Sequence, residues 1–93
     1  MEKPSLTSYT IYSKSNCPYC EKAKLLLKNE DVTVINCDEY LVADRTRFLQ
    51  TMQHYSGVEC KTFPVIFLKG IYIGGFTETK THYDNALFTN ADF

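Results

Sequence analysis

Ninety-three residues suit one domain around one hydrophobic core, since chains divide only well beyond this size. With 44% hydrophobic residues, seven Tyr, six Phe and no low-complexity tract, the composition excludes a disordered segment. A formal net charge of −1 leaves no basic footprint for nucleic acid, and the lack of a long apolar run argues against a membrane span or a signal peptide.

Residues 1–6 read as a tail. Thr7 to Ser13 is rich in Thr, Tyr and Ile, with Tyr9 and Ile11 alternating against Thr10 and Tyr12, which predicts a first strand. Cys17 then stands where a helix N-cap belongs and Pro18 at the first helical position, where its missing N–H costs nothing. Tyr19, Ala23, Leu26 and Leu27 fall near one face of that helix, which should end over Asn29 to Asp31. Val32, Val34 and Ile35 make Val32 to Cys37 a second strand, and the strand, helix, strand unit is long enough for a parallel crossover.

From Val42 to Tyr55 the apolar positions Phe48, Leu49, Met52 and Tyr55 recur helically, with Gly57 as the stop. Phe63 to Leu68 is nearly continuous apolar sequence, and Lys69-Gly70 can turn it into Ile71 to Ile73 as a hairpin that Gly74-Gly75 ends. A last helix from Thr77, as N-cap, to about Phe88 places Tyr83, Ala86 and Leu87 on one side; residues 89–93 form a second tail. The order predicts a single α/β domain, a four-stranded mixed sheet flanked by about three helices.

Chemistry concentrates at Cys17-Pro18-Tyr19-Cys20. Three positions apart on a helix's first turn, the two thiols share a side and lie within bridging reach. The thiolate is the reactive species, and the positive end of the helix that Cys17 caps favours it there. Cysteines in such settings have pKa values of roughly 3.5 to 7.5 against about 8.5 for a free thiol. Lys14, three residues upstream, adds to the effect, so Cys17 is the expected nucleophile. Cys20, one turn in, is the expected resolving thiol.

A Cys-x-x-Cys is also half of a zinc site, but a second half is missing: Cys37 and Cys60 are far apart, and His54 and His82 form no ligand-spaced pair. No metal is therefore expected. Cys37 reads as a small buried hydrophobe, and Cys60 as that or an incidental thiol. Four cysteines without a secretory signal point to a reducing, cytoplasmic setting.

Cys17-Pro18-Tyr19-Cys20 closely resembles the active site of the dithiol glutaredoxins, which have a thioredoxin-like fold. Lys14 matches that family's lysine, Thr62-Phe63-Pro64 resembles its Thr-Val-Pro, and Gly74-Gly75-Phe76-Thr77-Glu78 resembles its Gly-Gly-aromatic-Thr-Asp. The resemblance implies glutathione-dependent reduction of glutathione mixed disulfides and protein disulfides, with glutathione as co-substrate. Ribonucleotide reductase is one family-level substrate, and the chain should act as a monomer. It further implies a cis bond before Pro64 and a glutathione site built from Lys14, Tyr19, Lys61, Thr62, Phe63, Pro64, Gly75, Phe76, Thr77 and Glu78. Lys14 and Lys61 would meet the glycine carboxylate. The N–H groups of Phe76 and Thr77 would meet the γ-glutamyl carboxylate, and Glu78 the ammonium.

Two rivals stand beside this reading. A thioredoxin-like reductant recycled by a flavoprotein would not need Lys14 or the Gly74 to Glu78 anion site. A dimeric [2Fe–2S] carrier is disfavoured by Pro18, because cluster-binding relatives tend to have Gly or Ser after the first cysteine.

Overall fold

The computed structural model describes residues 1–91, with side chains through Ala86. Seven elements follow in order: β1 (Tyr9–Ser13), α1 (Pro18–Leu26), β2 (Val32–Asn36), α2 (Asp38–Ser56), β3 (Val65–Leu68), β4 (Ile71–Gly74) and α3 (Phe76–Ala91). The strands form one sheet in the order β2-β1-β3-β4, with β1 and β2 parallel and the other pairs antiparallel. This is the expected mixed sheet with three helices.

The expected alternation along β1 sorts the two faces. Tyr9 and Ile11 join Ala23, Leu27 and Ile66 in one buried cluster, against which Phe76 and Tyr83 of α3 pack. Tyr12 joins Ile35, Cys37, Phe48, Met52, Val65 and Phe67 in the other, beneath α2. Every residue of β1 is buried, as a central strand covered on both faces requires.

Several boundaries differ from expectation, each for a local reason. The first strand starts at Tyr9 rather than Thr7 because Ser5, Thr7 and Ser8 hydrogen-bond among their own side chains and backbone. Helix α1 stops at Leu26 because its last turn closes through Leu27 and Lys28 onto Ala23 and Leu25. Helix α2 starts at Asp38, ahead of Val42, because it is two helical pieces. Asp44 between them is extended (φ −161°) and its Oδ1 accepts the Arg47 N–H at 3.0 Å, an internal N-cap that starts the second piece afresh. Strand β3 starts at Val65, after the cis Phe63–Pro64 peptide.

The hairpin turn is Lys69-Gly70, with φ of 52° and 81°, the pair of positive values that a two-residue turn between twisted strands needs. Helix α3 runs through Ala91, past the expected end near Phe88. Leu87, expected on its inner side, lies outside the residues whose side chains are described, as do residues 92–93 of the expected tail. Among the described residues, no helix is long and apolar enough to cross a membrane.

Candidate active site

The topology gathers distant segments at one end of the sheet. Ser13 pairs with Asn36, Tyr12 with Val65 and Ile66 with Gly74. The exits of β1, β2 and β4 and the entry of β3 therefore share an edge. Lys14 to Cys20, Asp38, Phe63-Pro64 and Gly74 to Glu78 meet there, although they span most of the chain.

Cys17 is the N-cap of α1, with extended backbone (φ −124°, ψ 97°) and Pro18 following. The Cys20 N–H donates to Cys17 Sγ at 3.2 Å, and the Glu21 N–H to the Cys17 carbonyl at 3.2 Å. The sulfur takes the place that a Ser or Asp oxygen fills in an ordinary cap. The two sulfurs are joined as a disulfide across a Cα–Cα distance of 5.2 Å. Cys17 is 9% exposed and Cys20 is 0%, so an incoming molecule meets Cys17 first. A sulfur at a helix N-terminus beneath an N–H is in a setting that favours a thiolate over a thiol.

Aromatic rings border the pair. Tyr19 is half-exposed, with its ring centroid 6.0 Å from that of Phe76, and Lys22 Nζ stands 4.8 Å from the Tyr19 ring. Lys14 Nζ lies 5.7 Å from the Phe63 ring, which stacks on Phe48 at 5.8 Å, and Phe48 stacks on Tyr40 at 6.4 Å. Phe63 thus fixes a direction for Lys14 while packing against the α2 core. The Phe63–Pro64 peptide is cis, as the resemblance implies. Lys61 and Thr62 are exposed on the loop leading to it.

At the start of α3 the cap differs from expectation. Helix α3 begins at Phe76, so Gly75 is its cap, and Thr77 is an exposed residue of the first turn. Glu78, at the third helical position, reaches back to the cap residue itself. Its Oε1 accepts the Gly75 N–H at 2.8 Å, the carboxylate half of a capping box. Gly74 has φ of +140°, and a Cβ on it would stand 2.7 Å from Glu78 Cβ; its backbone and this close approach both demand glycine. A Cβ on Gly75 would lie 3.5 Å from the Pro64 carbonyl oxygen, so the Gly-Gly turn and the Pro64 loop are neighbours.

The remaining cysteines are buried and unpaired as disulfides. Cys37 is fully buried, and burial pushes its thiol up to about 12. Cys60 is buried with its sulfur 3.3 Å from Ser56 Oγ. Among the described residues, no group of three or more His, Cys, Asp and Glu side chains gathers around a common point.

One contact here has no sequence signal. Asp38, at the start of α2, accepts the Ser15 N–H on Oδ1 at 2.9 Å and the Ser15 hydroxyl on Oδ2. Only the parallel pairing of β1 and β2 brings the two together.

Residues 9–73 match the family model described as Glutaredoxin. The chain is 35% identical over 77 residues to glutaredoxin 1 of Rickettsia felis, covering 81% of this chain and 71% of that protein. Among solved structures it is similar to glutaredoxin 1 from Francisella tularensis complexed with cacodylate, with a TM-score of 0.73 and 34% identity over 85% of this chain and 94% of that one. It is also similar to the buckwheat glutaredoxin–glutathione complex, with a TM-score of 0.67 and 25% identity over 88% of this chain and 74% of that one.

Proposed function

Since the chain belongs to the glutaredoxin family and is a thiol–disulfide oxidoreductase, we propose that it takes its electrons from glutathione and passes them to glutathione mixed disulfides and protein disulfides. The observation that carries this reading is the asymmetric pair. Cys17 is the more accessible sulfur, held under a helix N–H, and Cys20 is buried behind it.

The Cys17 thiolate attacks the disulfide of a glutathionylated substrate, forming a Cys17–glutathione disulfide and expelling the substrate thiolate, which takes up a proton. A second glutathione thiolate then attacks the glutathione sulfur of that bond. Glutathione disulfide leaves and the Cys17 thiolate returns, so one free glutathione and the glutathionyl group of the substrate end as glutathione disulfide while the substrate is released as its thiol. With a protein disulfide, Cys17 forms the mixed disulfide and Cys20 attacks Cys17 Sγ. The substrate leaves as a dithiol, and two glutathiones reduce the resulting Cys17–Cys20 bond. Ribonucleotide reductase is among the candidate protein substrates, and the setting is a reducing cytoplasm with the chain acting as a monomer.

Glutathione presents two carboxylates and one ammonium, and this end of the sheet offers a partner for each. Lys14, with Lys61 from the loop, suits the glycine carboxylate. The N–H groups of Phe76 and Thr77, in the first turn of α3, suit the γ-glutamyl carboxylate, at a helix end that favours anions. Glu78 spends Oε1 on Gly75, and its second oxygen is available to the ammonium. Tyr19 and the Thr62-Phe63-Pro64 loop flank the tripeptide between these ends. The buckwheat glutaredoxin, related in fold, is described with glutathione bound, which supports the assignment.

The test is a coupled assay in which a small mixed disulfide is reduced with glutathione, glutathione reductase and NADPH. Turnover is expected there; turnover with a thioredoxin-reducing flavoprotein and none with glutathione would overturn the proposal. In the same assay Glu78→Gln should raise the glutathione KM roughly fivefold, the scale of one exposed ion pair. Its thermal midpoint should stay put because the amide oxygen still accepts the Gly75 N–H. An unchanged KM removes Glu78 from the site.

A further inference from the structure

Between the end of β1 and Cys17 the chain has only Lys14, Ser15 and Asn16 in which to turn, and Asn16 does so with φ of 56°, a left-handed conformation that an asparagine tolerates at some cost. A contact from outside the loop restrains it. The restraint comes from Asp38, whose two carboxylate oxygens take both donors of Ser15, the N–H at 2.9 Å and the hydroxyl.

Asp38 is itself held from behind. Its own N–H donates to Asn36 Oδ1 at 2.9 Å, and the preceding Cys37 N–H donates to the Ser13 carbonyl at 2.8 Å. The end of β1, the start of α2 and the loop before Cys17 are therefore one hydrogen-bonded unit. The Ser15 hydroxyl and then its N–H, with Asn36 and Lys14 adding, hold the Asp38 carboxyl below the usual carboxylate range, so the clamp stays intact through neutral pH.

We infer that Asp38 is a positioning residue for the redox centre: acting through Ser15, it holds Cys17 at the N-cap with its sulfur beneath the Cys20 N–H. The inference rests on Cys17 being the attacking sulfur. A two-point clamp fixes the orientation of Ser15 as well as its location, and Cys17 lies two residues further on. Charge and position act on the thiolate with opposite signs. An anion at this end of the sheet disfavours a thiolate, whereas a well-held cap favours it. Removing Asp38 therefore separates the two effects by the direction of the response.

The experiment measures the pH dependence of iodoacetamide alkylation of the reduced full chain, with mass spectrometry locating the adduct, in the parent, Asp38→Ala, Asp38→Asn and Ser15→Ala. Asp38→Ala is expected to move the Cys17 midpoint upward by about half a pH unit or more and to lower kcat/KM roughly tenfold. Asp38→Asn keeps an acceptor for the Ser15 N–H and can donate to the Ser15 hydroxyl. It should return the midpoint close to the parent value despite the lost charge. An Asp38→Ala midpoint that stays in place or falls overturns the inference, and so does an Asp38→Asn midpoint displaced as far as that of Asp38→Ala.

Circular dichroism reports whether each variant folds. Should Asp38→Ala fail to, Ser15→Ala, which removes one of the two donors, must show a smaller upward shift, and an unmoved midpoint overturns the inference. Alkylation needs no glutathione. A parent inactive with glutathione would therefore sink the proposed function while leaving the clamp standing, and an adduct on Cys20 would sink the assignment of Cys17.

Discussion

Cys17→Ser is expected to reduce turnover in the glutathione-coupled assay by about a thousandfold or more, since the reacting thiolate is gone and a serine hydroxyl is a weak nucleophile at its ordinary pKa. The fold should not suffer. Serine is among the preferred N-cap residues, and its oxygen can accept the Cys20 N–H that the sulfur accepts at 3.2 Å. Thermal stability equal to that of the reduced parent, together with lost chemistry, is the expected signature.

Cys20→Ser should behave differently on two substrates. A small glutathione mixed disulfide needs only Cys17, so at least about half of the activity should remain on the monothiol route. A protein disulfide should stall as a covalent adduct on Cys17, visible as a mass increase on a non-reducing gel. Equal losses in both variants on the small substrate would require a compulsory dithiol route. Turnover retained in Cys17→Ser would remove Cys17 from the mechanism, and no other cysteine is an evident substitute: Cys37 is buried with its thiol pushed up to about 12, and Cys60 is buried beneath α2.

What the sequence revealed and what it hid divide by the range of the interaction. Pro18 after a small capping residue, and Lys69-Gly70 between apolar runs, are local signals, and both resolve as a helix start and a tight turn. The periodic apolar positions Phe48, Leu49, Met52 and Tyr55 all lie in the second piece of α2, after Asp44. The first piece opens on the polar pair Asp38-Glu39 and is only about a turn and a half long before Asp44 breaks the phase between them. At α3 the motif order was legible but the cap stands two positions earlier than expected, at Gly75 rather than Thr77. Glu78, longer than the Asp that the family usually carries there, reaches back to Gly75, and Thr77 is left free of the capping role. The clamp from Asp38 to Ser15 was beyond any local reading, because its partners are 23 residues apart and meet only through strand register.

Phe67→Ala should separate fold from chemistry in the opposite sense to Cys17→Ser. Phe67 is fully buried in β3, and its ring meets Tyr12 at 5.7 Å and Tyr72 at 5.6 Å, both edge-on. Truncating a ring so placed costs about 3–5 kcal/mol from lost burial and the cavity left behind. A domain of this size is stable by only about 5–15 kcal/mol, so the thermal midpoint should fall by roughly 15 °C or more. Phe67→Leu, which keeps more of the apolar volume, should lose less. A drop of under about 1 kcal/mol for Phe67→Ala in a denaturant titration would mean that the ring is not in the core. The chemistry should survive wherever the variant is folded, because Phe67 belongs to the core cluster beneath α2, which includes neither Cys17 nor Cys20. Assayed cold, Phe67→Ala should therefore keep its activity per folded molecule within about twofold of the parent. A larger deficit would show that the packing of β3 on β1 also sets the geometry between the Pro64 loop and Cys17, beyond keeping the sheet assembled.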